Sequence, residues 1–346
     1  MNTAGLRMGE FPLATFGVFD FCGEDFLADS RYFGLHLSET YLIAHLVSKR
    51  DGRDIHITRP IMLFTSGGFS LSVTGEGGGV YQDSRGRGFL RGGTFQRGLD
   101  AQGALHLNGW SAFWAGGSDQ TVDVHVGDEF VWEDSGQMSL RGRRIGPGVQ
   151  TYVPSRRGRQ GTGVCHTGTF YEGEGTVLGE PVSGIMIIEH VFTEPGEVLS
   201  DSSIRRRFAG GWNGFATVFQ DGSHQHGHIT YGAGPFRFAN IMDGDRHIAC
   251  AIDSIETETG PDGLGKRVEY RLANGEIWEF ITTTTLMDML KQARALGSDA
   301  QLHKGYVQRV GETRKRRTWY SIQEWVAERL RNDAPEATEK DVPRGF

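Results

Sequence analysis

The strongest candidate for acid–base chemistry in this sequence is an adjacent carboxylic acid and imidazole, Glu189 and His190. They follow an unbroken apolar run, Ile185 to Ile188, whose length is typical of a strand covered on both faces. Desolvation of a carboxylate at the end of such a strand is costly. The group must therefore be paired with an opposite charge, be hydrogen bonded or have a raised pKa. We expect a raised pKa for Glu189, which would suit proton transfer near neutral pH.

Strand geometry limits how this pair can work. Successive residues of a strand point to opposite faces, so Glu189 and His190 enter one cavity only where a bulge re-aims one of them. We predict that Glu189 is the proton-transfer group, and that His190 or Tyr171 orients it or the substrate. The alternative is that one member of the pair is a structural hydrogen-bonding residue, and that Tyr171 packs with its hydroxyl at a rim.

Several aromatic residues are candidates for the walls of an apolar pocket. Trp212 and Phe215 lie on the next predicted strand, and Trp110 and Trp278 lie on other strands. We predict that these four side chains, together with His226, contact the substrate. Plain filling of a hydrophobic core is the alternative for at least half of the aromatic residues.

A second candidate site is the alternating segment His224-Gln-His226-Gly-His228. On a strand the three imidazoles lie on one face, where a carboxylate from a neighbouring strand could complete a zinc, iron or nickel site. No well-spaced acidic ligand accompanies them, and the alternatives are a polar face or hydrogen bonds to substrate. Nucleotide-binding loops and a Gly-x-Ser-x-Gly nucleophile motif are also missing, so we predict no metal and no cofactor.

The segment Gly184-x-x-x-x-Glu189-His190, followed by Trp212-x-x-Phe215 and Asp221-Gly222, resembles the core of a lipocalin-like two-barrel family. That family includes carotenoid hydratases, tocopherol cyclase and related isomerases and Diels-Alderases. The resemblance covers mainly residues 160 to 285. It implies two successive antiparallel barrels or half-barrels, a hydrophobic ligand and cofactor-free proton chemistry on alkenes or phenols, with Glu189 as the acidic residue. The family often has Trp-Gly after the acid and histidine, and this chain does not, so reaction and substrate stay open.

The elements that must position these residues are short strands punctuated by turn residues. Asn274-Gly275 between two of them predicts a tight hairpin. We predict an all-β fold of two consecutive antiparallel lipocalin-like (calycin) barrels or half-barrels with a C-terminal helix. The expected domains are residues 1–155 and 156–332, joined near a segment rich in Gly, Arg and Ser, and residues 333–346 are expected to be a disordered tail.

Two segments carry a helical pattern of apolar residues. The first is Leu286 to Leu296, and the second follows a capping box made by Ser321 and Glu324. We predict that the second helix packs on a barrel through one apolar stripe. The stripe consists of Ile322, Trp325, Val326 and Leu330.

Composition limits the partners and the location of the protein. The formal net charge of -7 argues against nucleic acid as the main partner. No apolar run approaches the roughly 18 residues of a spanning helix, so we predict no membrane span. Three distant cysteines without metal-ligand spacing favour a reducing, cytoplasmic location. The oligomeric state stays open, with a homodimer as one alternative.

Three functions remain open at this point. The first is a cofactor-independent isomerase, hydratase or cyclase that acts on a terpenoid, steroid or aromatic molecule, with Glu189 as general acid or base. The second is a protein that binds such a ligand without turnover, because an apolar pocket with a few polar groups serves either purpose. The third is a metal-dependent enzyme built on His224, His226 and His228.

Overall fold

The computed structural model describes residues 7–8, 15–62, 65–66, 70–74, 80–82, 90–113, 120–135, 137–154, 163–197, 211–231, 237–285, 301–326 and 330. These residues form two antiparallel β-sheets, and the only helical element among them is a short 3-10 turn, Gly23–Phe26. The prediction of an all-β fold with two consecutive barrels or half-barrels is therefore confirmed. Within the described residues, no helix is both long enough and apolar enough to cross a membrane.

The first sheet has sixteen strands and curls into a half-barrel. Its main path runs in the order β8-β7-β5-β4-β16-β15-β13-β12-β11-β10-β9, so β4, β15 and β16 lie near its centre. The strands are β1 Arg7–Met8, β2 Thr15–Phe19, β3 Arg31–Tyr32, β4 Leu35–Ser48, β5 Asp54–Met62, β6 Thr65–Ser66, β7 Ser70–Thr74, β8 Val80–Gln82, β9 Leu90–Leu99, β10 Leu105–Phe113, β11 Gln120–Val126, β12 Glu129–Asp134, β13 Met138–Arg144, β14 Gly148–Val153, β15 Val164–Val177 and β16 Glu180–Thr193.

The second sheet is a closed eight-stranded barrel, in which the first strand pairs with the last. Its strands are β17 Trp212–Phe219, β18 His224–Tyr231, β19 Arg237–Asp243, β20 Arg246–Thr259, β21 Gly265–Leu272, β22 Ile277–Thr285, β23 Gln301–Arg309 and β24 Arg316–Trp325. The hairpin predicted at Asn274-Gly275 is confirmed, because it joins β21 to β22. Gly275 has a φ of 86°, the left-handed conformation that such a turn requires.

The central strands of the first sheet are buried on both faces. In β16, Met186, Ile188 and Phe192 point into the core of the first sheet, whereas Ile185 and Ile187 point towards the barrel. This alternation follows from the pleat of a strand. The prediction that the apolar run is covered on both faces is therefore confirmed.

The contact between the first sheet and the outer face of the barrel is called the seam. It is formed by β4, β14, β15 and β16 on one side and by β17, β18, β19 and β24 on the other. Asn240 of β19 donates across it to the Gln150 carbonyl at 2.9 Å and to Thr151 Oγ1 at 3.1 Å. Its central apolar side chains are Ile43, Val149, Phe170, Ile185, Ile187, Ala216, Val218, Met242 and Tyr320.

The first sheet extends along the chain through β15 and β16 to Thr193, and the domain division at residues 155 and 156 stays a prediction. The barrel begins at Trp212. The helix predicted over Leu286 to Leu296 and the tail predicted over residues 333–346 lie outside the described residues.

The structure does not show the C-terminal helix predicted from Ser321. The first part of that segment, Ser321 to Trp325, belongs to β24, which closes the barrel by pairing with β17 and β23. Trp325 points into the barrel core, whereas Tyr320 points into the seam. Hydrogen bonding to the distant β17 and to the preceding β23 therefore overrides a local spacing that is compatible with a helix.

A buried ion pair crosses the interior of the first sheet. Arg59 of β5 and Asp134 of β12 lie on the face that carries the apolar core, although their strands are far apart in the sheet. Arg59 Nη2 donates to both carboxylate oxygens of Asp134, at 2.9 and 3.0 Å, and both side chains are fully buried. Burial raises the pKa of Asp134 to about 6 against the opposing effect of Arg59. The pair therefore links the two arms of the curled sheet.

We predict that Asp134→Asn destabilises the protein by about 3–5 kcal/mol, because it leaves the buried Arg59 charge without its partner. Urea unfolding measures this change. Asp51→Asn is the control, since it alters an exposed ion pair with Arg53 and should have a much smaller effect. Equal effects of the two substitutions would contradict this interpretation of the ion pair.

Candidate functional site

A carboxylate and two imidazoles meet in the seam. Glu189 of β16, His166 of β15 and His228 of β18 bring their donor atoms close together. His166 Nε2 lies 3.3 Å from Glu189 Oε2, and His228 Nε2 lies 3.4 Å from Glu189 Oε1. We call these three residues the seam cluster. It combines side chains from both sheets around one carboxylate.

Strand pairing explains how the seam cluster is assembled. Gly168 of β15 pairs directly with Glu189, which makes His166 a diagonal neighbour of Glu189 on the same face. Gly168 also leaves the space that the barrel histidine occupies, since a Cβ at this position would lie 2.9 Å from His228 Cε1. A residue without a side chain is therefore needed where the two sheets approach at the cluster.

Aromatic rings from both sheets lie beside the seam cluster. The Trp212 ring lies 4.8 Å from the His166 ring and 4.8 Å from the His228 ring, and Phe170 lies 6.0 Å from His228. The His166 and Glu189 side chains are each 11% exposed, whereas the His228 side chain is fully buried. The cluster therefore has aromatic walls and one accessible edge, formed by His166 and Glu189.

The electrostatic balance at Glu189 differs from the one expected. Burial acts to raise the pKa of Glu189, but the two nearby imidazoles of His166 and His228 outweigh it and hold that pKa well below its usual range. Burial lowers the pKa of His228 to about 4. The prediction of a raised pKa for Glu189 is therefore wrong, because two imidazoles from other strands stabilise the charged form. At neutral pH an ionised carboxylate lies beside a neutral His228.

The seam cluster also has the dimensions of a metal site. Bonds of about 2.0–2.1 Å place neighbouring ligands of a tetrahedral ion roughly 3.3 Å apart, close to the 3.3 and 3.4 Å distances between Nε2 and carboxylate oxygens. Charge-assisted hydrogen bonds are shorter, about 2.7–2.9 Å. A metal-bound histidine, however, normally donates its other ring N–H. Among the described residues, neither His166 Nδ1 nor His228 Nδ1 has a hydrogen-bond partner.

His190 and Tyr171, which were predicted to orient Glu189, lie on the other side of the sheet. The His190 ring stacks on Phe26 with 4.0 Å between ring centroids. The Tyr171 hydroxyl donates to the Gly127 carbonyl at 3.0 Å. The expectation that neighbouring Glu189 and His190 face opposite sides is confirmed, and the structure brings neither His190 nor Tyr171 to Glu189.

Of the four predicted aromatic contacts, the structure places Trp212 beside the seam cluster. Phe215 and Trp278 belong to the core of the barrel, with 6.1 Å between their rings. Trp110 is 42% exposed on β10 of the first sheet. The alternative of core filling therefore describes Phe215 and Trp278 better than a shared pocket with Glu189.

The three imidazoles of β18 lie on one face of the strand, as predicted from their alternation, and this is the outer face of the barrel. The His224 and His226 rings stack with 5.1 Å between centroids, and His226 Nε2 donates to the Pro147 carbonyl at 2.8 Å. Among the described residues, His228 alone of the three belongs to a group that could hold a metal, and its partners are His166 and Glu189. The set His224, His226 and His228 is therefore not brought together as a ligand set.

The sequence reasoning missed His166. The signal in the sequence is Gly179, because glycine favours the positive φ of a tight turn, and in the structure Leu178 and Gly179 form such a turn. Pairing counted back from this turn places Gly168 opposite Glu189, and His166 then follows two residues away on the same face.

Comparison with known proteins provides no family assignment. No protein-family model and no curated protein matches this chain. The resemblance to the lipocalin-like two-barrel family therefore stays a prediction.

We predict that His228→Phe raises the pKa of Glu189 above its wild-type value, because it removes one of two imidazoles and leaves burial to act. Infrared titration of the carboxyl band, assigned by difference from Glu189→Gln, measures the change. His226→Phe is the control, since it removes a buried imidazole of the same strand from outside the seam cluster. The same Glu189 pKa in the His228→Phe and wild-type proteins would contradict the role given to His228.

Proposed function

We propose that this protein catalyses proton transfer on an apolar small molecule, as an isomerase, hydratase or cyclase, with the seam cluster as its active centre. The observation that carries the proposal is the Glu189 carboxylate between two imidazole Nε2 atoms, at 3.3 and 3.4 Å, within an apolar seam. Burying a carboxylate is costly, and ionisable groups with perturbed pKa values are concentrated at functional sites.

Glu189 is the proton acceptor in this proposal. Its lowered pKa keeps it ionised at neutral pH, and it contributes to the accessible edge of the cluster. In an isomerisation, a substrate C–H bond breaks, its electron pair shifts the double bond, and the proton forms an O–H bond on Glu189. The carboxylic acid then returns this proton to another carbon. Proton transfer of this kind requires no cofactor.

The lowered pKa also indicates which substrates suit the site. A weak base removes only an acidic proton efficiently, such as one next to a carbonyl group or a carbocation, or a phenolic proton. The ring faces of Trp212 and Phe170 near the cluster would favour positive charge on a substrate. These features agree with the alkene and phenol chemistry that the family resemblance implies.

A second candidate function is metal-assisted catalysis by the same three side chains. The ligand-like separations within the seam cluster favour it. Two imidazoles and one carboxylate are the ligand set of many non-haem iron centres, and catalytic zinc sites also keep three protein ligands and one open position. In this alternative Glu189 binds the ion and is not a free base, so removal of metal separates the two functions.

The test starts from apolar compounds that co-purify with the protein, identified by mass spectrometry. Each is incubated in D₂O with wild-type protein, and conversion and deuterium uptake are followed. We expect Glu189→Gln to bind the compound but to react about 10²- to 10⁴-fold more slowly, the usual contribution of general acid–base catalysis. Glu174→Gln, a change at an exposed glutamate of β15, should keep the wild-type rate.

Each outcome of this experiment is decisive. A wild-type rate in Glu189→Gln contradicts the proposal. Loss of activity on chelation, with recovery on adding one equivalent of Fe²⁺ or Zn²⁺, favours the metal-assisted alternative. Tight binding without conversion or deuterium uptake by the wild type would make the protein a carrier of apolar ligands.

A further inference from the structure

A second group of metal-ligating side chains lies on the exposed face of the first sheet. In β10 and β11 the residues alternate between the apolar core and solvent. On the solvent side His106 lies directly opposite His125, and Asn108 lies opposite Asp123. The core-facing residues of the two strands are Leu105, Leu107, Val122, Val124 and Val126. The register therefore collects two imidazoles and a carboxylate at one place on the surface.

The distances within this group fit a single ion. One donor atom from each of His106, Asp123 and His125 lies within 4.8 Å of the others. His106 Nε2 is 2.7 Å from Asp123 Oδ1, and His125 Nε2 is 3.5 Å from Asp123 Oδ2. The two imidazole rings stack with 4.3 Å between centroids. Each of the three side chains is 33% exposed or more, so water can reach further coordination positions.

Asp100 holds one of these imidazoles in the orientation that a metal site needs. His125 Nδ1 donates to Asp100 Oδ2 at 2.9 Å. The other oxygen of Asp100 accepts from the backbone N–H groups of Gln102 and Ala104, at 2.9 and 3.0 Å, which fixes the carboxylate. A carboxylate on the second nitrogen of a histidine is the usual companion of a metal-bound imidazole. The seam histidines have no such partner among the described residues.

We propose that His106, Asp123 and His125 bind a divalent transition-metal ion such as Zn²⁺, with Asp100 as a positioning residue for His125. Two imidazole nitrogens select zinc, nickel or copper over magnesium and calcium, which prefer oxygen ligands. Three protein ligands leave at least one position for water or for an anionic group of a ligand. The site is independent of the function proposed for the seam cluster.

Calorimetric titration of the full chain with ZnCl₂ in excess MgCl₂ tests this site. The His228→Phe protein serves as the reference, because zinc at the seam cluster is disabled in it. We expect this protein to bind one zinc ion at the surface site. Adding His106→Ala and His125→Ala to it should abolish that binding, while circular dichroism shows an unchanged fold.

Asp100→Asn in the same reference protein tests the positioning role. It keeps all three ligands and should weaken zinc binding by about 10- to 100-fold, the usual effect of removing such a partner. Zinc affinity that survives the double alanine substitution, or no zinc binding by the His228→Phe protein, overturns the proposed site. Unchanged affinity in Asp100→Asn overturns the role of Asp100.

Discussion

The structure depends on a layer of strands that has almost no solvent face. Strands β4, β15 and β16 lie between the core of the first sheet and the outer face of the barrel. A polar side chain in this layer loses water on folding and must find its partners within the protein. Asn240 meets this requirement by donating to the main chain across the seam. Glu189 meets it with one imidazole from each sheet.

The seam cluster is therefore a product of docking as well as of strand pairing. Pairing of β15 with β16 determines the relation of His166 to Glu189. The position of His228 depends instead on how the barrel packs against the first sheet. A small shift of the barrel would change the distance from His228 Nε2 to Glu189 Oε1, and with it the balance between burial and stabilisation that sets the pKa of Glu189. Side chains that only pack in the seam can thus influence the acidity of the centre.

Local patterns in the sequence predicted an all-β fold, the hairpin at Asn274-Gly275 and the orientation of Glu189 and His190 to opposite faces of their strand. They failed at Ser321, where a helical spacing competes with pairing to β17, which is distant in the chain. They also failed for the pKa of Glu189. Its apolar neighbours are visible in the sequence, but no local rule shows which strand of the other sheet lies across from it. The burial of Glu189 was therefore predictable, whereas its partners His166 and His228 were not.

The central claim is that the neutral imidazole of His228 lies beside the ionised carboxylate of Glu189 in the seam. Side-chain ¹⁵N chemical shifts of histidine report protonation, tautomer and metal binding, and His228→Phe assigns the His228 signals. In protein treated with a chelator, we predict that His228 stays neutral down to about pH 4, with its proton on the Nε2 that faces Glu189. A His228 ring that gains its second proton near the ordinary histidine pKa of about 6.5 would contradict this claim.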